Sequence, residues 1–128
     1  MPSMQNGPNP HSLEFKKNKF NKIINYFVQN EPLKSFTIDN PPSAFPDDIL
    51  KEMKDIGFET FRKIGGYKVF SCGSGVVGKV WGFVYGDFTN DQVQQPSLIE
   101  GNGDKLYLSY LKKLGGKWYR FSAGKTLE

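Results

Sequence analysis

The chain has 128 residues, of which 38% are hydrophobic and 15% aromatic, and its net charge is +4. This length fits one domain with one core, and so small a charge excess selects a nucleic acid or an anionic membrane only if it is clustered. The single cysteine, Cys72, excludes an intrachain disulfide, and no apolar run approaches the roughly 18 residues of a membrane-spanning helix. Residues 1–12 have no periodicity. We therefore expect a tail or linker there and a single α+β domain over residues 13–126.

The first predicted element is an amphipathic helix. Ser12 suits its N-cap, and Asn30 with Pro32 ends it. Its apolar residues recur at steps of three and four, and they are Leu13, Phe20, Ile23, Ile24, Phe27 and Val28. Its outer side carries the lysines Lys16, Lys17, Lys19 and Lys22. These lysines are either a phosphate-binding face or an ordinary solvated face, and the second interpretation is preferred because charged residues usually cover such a helix.

A connector and a shorter helix follow. Residues 33–46 contain three prolines and predict an irregular connector. Asp47 and Asp48 begin a helix that Gly57 caps, with Phe58 as the hydrophobic contact of the cap. The apolar positions of this helix are Ile49, Leu50, Met53 and Ile56. We interpret the two aspartates as favourable charges at the helix start and not as a catalytic pair, because adjacent residues on one turn rarely converge on a substrate.

Two Gly-Gly pairs predict hairpin turns, because glycine adopts the positive φ angles of two-residue turns. The first pair is Gly65-Gly66, and the register that it predicts is Phe61 opposite Phe70 and Ile64 opposite Tyr67. The second pair is Gly115-Gly116, and the register that it predicts is Tyr110 opposite Phe121 and Leu108 opposite Ala123. Cross-strand apolar pairs of this kind fix the register of a hairpin.

Residues 76–88, between the hairpins, predict the longest strand. Its odd-numbered positions include Trp81, Phe83 and Tyr85, whereas its even-numbered positions alternate valine with glycine. Repeated glycines on one face predict a bend or a close approach by another group. Residues 89–104 predict a polar loop. The expected architecture is therefore N-terminal amphipathic helices packed on a bent antiparallel sheet of about five strands.

The motifs with chemical potential are few. Residues 73–79 match the spacing of a phosphate-binding loop, but Val80 stands where a magnesium-binding Ser or Thr is needed, so we interpret them as a turn between strands. His11 is the only histidine, so the sequence predicts no metal site, no cofactor and no histidine-dependent triad. Four carboxylates flank or lie on the predicted sheet, and they are Glu59, Asp87, Glu100 and Asp104. The catalytic candidate among them is Asp87, an acid that follows the aromatic positions of the strand and could act as a general base.

Aromatic and basic residues along the strands are the candidate ligand-binding positions. They are Trp81, Phe83, Tyr85, Tyr107, Trp118 and Arg120. Such a face could stack the bases of a single-stranded nucleic acid. That interpretation is less favoured, because aromatic sheet faces are more often covered by a helix and this chain has two helices that need a sheet to cover.

The end of the chain resembles that of a known superfamily. Residues 105–111, followed by Gly115-Gly116-Lys117-Trp118-Tyr119-Arg120-Phe121, are similar to the closing hairpin of many NTF2-like (cystatin-like cone) domains. The resemblance implies helices packed on a cone-shaped sheet. It also implies a range of functions, from small-molecule isomerases and dehydratases to transport adaptors and exported bacterial lipoprotein domains. In an enzyme of this type, Asp87 would be the general base, and Tyr85 or Tyr107 would donate a hydrogen bond.

The leading hypothesis from the sequence is a non-catalytic binding or interaction module for an unidentified protein or small ligand. The alternatives are an NTF2-like enzyme and a single-stranded nucleic-acid-binding protein. A homodimer through the aromatic face is a further alternative. An exported or cell-envelope location and a cytoplasmic location are both compatible with the sequence.

Overall fold

The computed structural model describes residues 17–30, 33–73, 79–101 and 103–124. Within these ranges the chain is α+β, as predicted, with three helices and seven strands where the sequence predicted about five strands. In chain order the elements are α1 (Lys17–Gln29), β1 (Phe36–Thr37), α2 (Asp47–Ile56), β2 (Thr60–Ile64), β3 (Tyr67–Gly73), β4 (Lys79–Tyr85), α3 (Asn90–Gln94), β5 (Ser97–Gly101), β6 (Asp104–Gly115) and β7 (Trp118–Gly124).

The described strands form one antiparallel sheet. Its order is β1-β2-β3-β4-β7-β6-β5. β2 also contacts β5 and β6, although four positions or more separate them in that order. The sheet is therefore curled, and the β2–β3 turn meets the β5–β6 hairpin. At this meeting point a Cβ on Gly65 would lie 2.9 Å from the Glu100 carbonyl oxygen, and one on Gly101 would overlap the Gly65 Cα.

The first predicted hairpin is confirmed. β2 and β3 flank Gly65-Gly66, with Phe61 opposite Phe70 and Ile64 opposite Tyr67. Gly65 has φ +60°, the left-handed conformation that the turn requires. β4 pairs with both β3 and β7, so the long strand predicted from the sequence lies in the middle of the sheet. The part of that prediction covering residues 76–78 lies outside the described residues, as does most of the phosphate-loop match.

The second hairpin is confirmed as a hairpin, but its predicted turn at Gly115-Gly116 and part of its predicted register are wrong. β6 extends to Gly115, which pairs with Trp118, so the turn lies one residue later, at Gly116-Lys117. Leu108 lies opposite Ala123 as predicted, but the predicted pairing of Tyr110 with Phe121 is wrong. An irregularity between Leu108 and Tyr110 shifts the register by one residue, so Leu111 takes the position opposite Phe121. Because a one-residue shift moves every later side chain to the other face, Leu111 is buried and Tyr110 is 37% exposed.

The prediction of a polar loop at residues 89–104 is wrong, because this segment forms α3 and the edge strand β5. Thr89 and Gln92 form a capping box at the start of α3, with distances of 3.2 Å from the Gln92 N–H to Thr89 Oγ1 and 2.8 Å from the Thr89 N–H to Gln92 Oε1. Such reciprocal bonds satisfy backbone N–H groups that the first helical turn leaves without partners. The connector predicted at residues 33–46 likewise contains β1.

The sheet is covered on both faces, because its strands alternate their side chains between two apolar clusters. The first cluster lies between the helices and one face, and its members include Phe20, Phe27, Met53, Phe61, Phe70, Phe83 and Trp118. The second lies on the opposite face, inside the curl, and consists of Ile64, Val69, Val84, Ile99, Leu108, Leu111, Tyr119, Phe121 and Ala123. Because the sheet curls around the second cluster, strands of the same sheet cover this face.

The lysines of α1 contact acids of α2. Lys22 lies 3.6 Å from an Asp48 carboxylate oxygen and 3.7 Å from one of Glu52, and Lys19 lies 3.6 Å from Glu52. These distances show part of the basic face partnered within the chain. The predicted N-cap Ser12 and the first lysine, Lys16, lie outside the described residues.

The second helix ends as predicted. Gly57 has φ +107° and caps α2, and the Phe58 N–H donates to the Met53 carbonyl at 2.9 Å. At its start Pro46 occupies the N-cap position without a side-chain cap, and Asp47 and Asp48 lie in the first turn, where a negative charge is favourable.

Candidate functional site

Two of the residues predicted to bind a ligand are parts of the core. Phe83 and Trp118 are 0% and 2% exposed. The ring of Phe20, on α1, lies edge-on to both, with centroid distances of 4.8 Å to Phe83 and 4.9 Å to Trp118. The aromatic face of the sheet is therefore largely filled by α1, and a ligand would reach the Phe83 ring only if the helix moved away.

Three further candidates surround that pair. Arg120 is buried, with its guanidinium carbon 6.0 Å from the Phe83 ring centroid. Tyr85 is half-buried, and its ring centroid lies 5.2 Å from that of Trp118. Trp81, also half-buried, packs at the border of the same cluster. The structure thus brings five of the predicted residues together, mainly as side chains packed in or beside the first apolar cluster. They are Trp81, Phe83, Tyr85, Trp118 and Arg120.

The other two candidates, Tyr107 and Asp87, lie away from this cluster. Tyr107 is exposed on β6, opposite Leu98 of β5. The Asp87 side chain is 84% exposed, with a carboxylate oxygen 3.5 Å from the Lys117 ammonium group. The tyrosine that contacts Asp87 is Tyr67, whose hydroxyl donates to the backbone carbonyl and not to the carboxylate, at 3.1 Å. This arrangement gives the carboxylate no enclosed surroundings in which to act as a base.

A small groove gives solvent some access to the predicted residues. Its volume is about 280 Å³, and Tyr85 and Trp118 line it. Lys17 at the start of α1 and Lys117 in the β6–β7 turn lie at its sides. The groove is smaller than the usual volume of a small-molecule site, about 300–1,000 Å³.

A larger cleft, missed by the sequence reasoning, lies between the end of α1, the edge strand β1 and the connector that follows it. We call it the β1 cleft. Its volume is about 780 Å³, and its lining residues are Tyr26, Asn30, Leu33, Lys34, Ser35, Phe36, Thr37, Asn40, Pro41 and Pro42. The available signal was an aromatic residue, Phe36, within a proline-rich connector, but no periodicity connects it with Tyr26 on the helix.

The aromatic side chains of the β1 cleft are held from behind. Phe45 is buried, and its ring centroid lies 5.2 Å from that of Tyr26 and 5.3 Å from that of Phe36. Phe36 also stacks on Phe27 at 6.4 Å and contacts Phe61 at 5.6 Å. Because these contacts fix the rings before any ligand arrives, little side-chain ordering would be needed on binding.

A strained turn brings Phe45 into this position. The Phe45 N–H donates to the Pro42 carbonyl at 3.2 Å, which closes a four-residue turn. Ala44, within this turn, has φ +65°, and no other described residue except glycine has a positive φ. A left-handed alanine costs about 1–2 kcal/mol, so the surrounding packing must offset that cost. The turn also holds Pro41 and Pro42 in the wall of the cleft.

The polar groups of the β1 cleft are mostly neutral. The Asn30 side-chain amide donates to the Tyr26 carbonyl at 2.8 Å, the Ser35 hydroxyl accepts from the Lys63 N–H at 2.9 Å, and the Asn40 N–H donates to the Thr37 carbonyl at 3.0 Å. Lys34 is the one charged residue among the lining residues of the described chain, and these include no carboxylate, histidine or cysteine. The described lining of the cleft therefore combines aromatic rings with neutral polar groups and one lysine.

The described residues offer neither a cluster of metal ligands nor an exposed cysteine thiol. In the ranges given above, no three His, Cys, Asp or Glu side chains are grouped closely enough to hold a metal ion. Cys72 is buried in the first apolar cluster, and this burial, with a smaller contribution from the charge of Glu59, raises the pKa of its thiol. A raised pKa disfavours the reactive thiolate.

Comparison with protein-family models, with curated proteins and with solved structures finds no match to this chain. None of the helices in the described part of the chain combines the length and the apolar character needed to cross a membrane.

Proposed function

We propose that this protein is a non-catalytic binding domain and that its ligand occupies the β1 cleft. The observation that carries the proposal is the combination of a cleft of about 780 Å³ with two aromatic side chains already fixed by Phe45. Ligand sites usually have this size and an apolar lining with a few placed polar groups. Asn30, Asn40 and the hydroxyl residues would supply those polar groups.

The composition of the described lining, which holds no acid–base pair, supports binding without chemistry. General acid–base catalysis needs a titratable side chain within hydrogen-bond reach of the substrate. Of the described residues that line the cleft, Lys34 alone is charged, and it is exposed. Asp87 belongs to another part of the surface and contacts Lys117.

The test is a fragment screen read by amide chemical shifts, with matched variants. Bound fragments should shift the amides of Ser35 and Thr37. The variant Tyr26→Leu keeps apolar contact with Phe45 but removes the ring and hydroxyl, so it should weaken binding at least about tenfold. The control variant Tyr107→Leu removes an exposed tyrosine outside the cleft and should leave binding unchanged. Fragments that instead shift Trp81 and Tyr85 and lose affinity in Tyr107→Leu would contradict the proposal.

We also propose an NTF2-like relationship for the fold. The support is the order of the elements, with α1 and α2 preceding six of the seven strands of a curled antiparallel sheet whose last strands are the β6–β7 hairpin. In this proposal the second apolar cluster fills the inside of the cone, and ligand binding takes place at the edge strand.

A further inference from the structure

We infer that the ligand of the β1 cleft is an extended peptide segment that lies along the free edge of β1, inserts an apolar side chain between the rings, and carries a carboxylate close to that side chain. This inference rests on the proposed function and adds the chemical class of the ligand. It depends on three features of the cleft: an open strand edge, an apolar gap and a lone positive charge.

The first feature is the direction of the β1 backbone. β1 is the outermost strand on its side of the sheet and pairs with β2. The Ile38 N–H donates to the Glu59 carbonyl at 2.9 Å, so the backbone of Ile38 faces β2. Backbone groups alternate in direction along an antiparallel strand, so the N–H of the preceding residue, Thr37, faces away from β2.

The cleft lies on that open side. Ser35, Phe36 and Thr37 line it, whereas no residue of β2 is among its described lining residues. A peptide can add to such an edge through main-chain hydrogen bonds. The edge is short, and the Thr37 carbonyl already accepts from Asn40. The Thr37 N–H would therefore supply the backbone contact, and the side-chain amides of Asn30 and Asn40 would supply additional donors and acceptors for peptide groups.

The second feature is the gap between Tyr26, Phe36 and the two prolines. Side chains alternate along an extended peptide, so one of them would enter this gap while its neighbours point away. The rings are already fixed by Phe45. An aromatic or large aliphatic side chain would therefore gain contact area without requiring the wall to rearrange.

The third feature is charge. Lys34 is exposed at the cleft and is the one charged side chain in its described lining. That described lining contains no acidic residue. Charge complementarity then selects a carboxylate in the ligand, one residue away from the inserted side chain, because the neighbouring residue points toward the rim.

The experiment uses fluorescently labelled heptapeptides with blocked ends, a central Phe or Leu and an adjacent Asp. Each peptide has two twins, one with Asn in place of Asp and one with an N-methylated central backbone. We expect the Asp peptides to bind at least tenfold more tightly than either twin. Lys34→Gln should reduce the preference for Asp over Asn to about twofold or less, whereas the control Lys113→Gln, on β6 outside the cleft, should leave it unchanged.

Several results would overturn the inference, and they are distinguishable from failure of the proposed function. Equal binding of the N-methylated twin would exclude pairing with the strand edge, and equal binding of the Asn twin would exclude the carboxylate. Fragments that bind in the cleft while every peptide fails would overturn the peptide but keep the binding function. Concentration-dependent dimerisation that Lys34→Gln abolishes would assign the cleft to a second copy of the chain. Failure of fragments and peptides alike would remove both proposals.

Discussion

Arg62 and Asp104 join the two ends of the curled sheet through a two-bond ion pair. Arg62 Nε donates to Asp104 Oδ2 at 2.9 Å, and Nη2 donates to Oδ1 at 2.7 Å. The same Nη2 donates to the Lys105 carbonyl at 3.1 Å. β2 and β6 are not neighbours in the strand order, so this pair lies where the sheet closes on itself, near Gly65 and Gly101. Bidentate arginine–carboxylate pairs are among the stronger charged contacts.

Replacing the aspartate should weaken the closure. The two side chains are 27% and 35% exposed, so water screens the pair partly, and we expect Asp104→Asn to lower the free energy of unfolding by about 1 kcal/mol. Urea unfolding checks this value. The control Asp91→Asn changes an exposed acid on α3 and should have an effect below about 0.5 kcal/mol. Equal effects of the two variants would contradict a role for the pair.

The same pair predicts a pH dependence. The hydrogen bond from Arg62 is the main cause that holds the pKa of Asp104 below its usual range in the folded protein. A lowered folded-state pKa means that the stabilisation is fully present above the unfolded-state pKa, about 4, and is lost as the pH falls through the folded value. Between pH 5 and acid pH, the wild-type protein should therefore lose about 1 kcal/mol more of its free energy of unfolding than Asp104→Asn does. This is the difference that we expect between the two proteins at neutral pH. Parallel stability profiles would rule this out.

Gly65 and Gly116 offer a matched pair for testing the closure of the curl. Their φ angles are +60° and +57°, so alanine suffers the same backbone strain at both, about 1–2 kcal/mol. A Cβ at Gly116 meets nothing within 4 Å, whereas one at Gly65 lies 2.9 Å from the Glu100 carbonyl oxygen. Gly65→Ala should therefore lower the free energy of unfolding by at least about 1 kcal/mol more than Gly116→Ala. Equal losses of stability in thermal unfolding would mean that the β2–β3 and β5–β6 hairpins separate easily at Gly65 and Glu100.

Phe20 connects α1 with the sheet. It is fully buried, and its ring lies edge-on to those of Phe58, Phe83 and Trp118. Phe20→Ala should lower the free energy of unfolding by about 3–5 kcal/mol, and Phe20→Leu by about 1.5 kcal/mol if the alanine variant fails to fold. Val28, on the same helix but 46% exposed, provides the control. Val28→Ala should change stability by about 0.5 kcal/mol or less in urea unfolding.

Cys72 should behave as a protected thiol. Because burial raises its pKa, alkylation at neutral pH should be slower in the native protein than in urea, on the order of 100-fold, and limited by opening of the structure. Ser43→Cys in a Cys72→Ala background places one thiol at an exposed position. That control should react at similar rates with and without urea. Rapid alkylation of native Cys72 would show that the first apolar cluster opens readily near β3.

The sequence predicted local features well where a single residue type determines the backbone. The Gly65-Gly66 turn, the Gly57 cap and the alternation of Trp81, Phe83 and Tyr85 are of this kind. The second turn lies one residue later than predicted, at Gly116-Lys117. The sequence reasoning failed at Tyr110, because a bulge inserts one residue without any change in apolar spacing. It missed β5, whose five residues contain only two large apolar side chains, Leu98 and Ile99. Short elements of this kind depend on tertiary pairing more than on pattern.

The site was harder to predict than the fold. The sequence identified aromatic residues of the strands, but the same aromatic character suits a core, and only the position of α1 shows that Phe83 and Trp118 are covered. The β1 cleft combines Tyr26 of a helix, Phe36 of a two-residue strand and a proline turn. No local pattern brings such segments together, because their contacts depend on the strained conformation of Ala44 and on the buried ring of Phe45.

Strands β3, β4 and β7 contribute side chains to both apolar clusters, as Val69 and Phe70 do from adjacent positions of β3. Removing either cluster would leave one side of the same three strands in water, so the loss of one undermines the other. We therefore expect neither apolar cluster to stay folded when the other is lost. The backbone amides of these central strands should exchange with deuterium last and at one common rate, set by the opening of the whole domain.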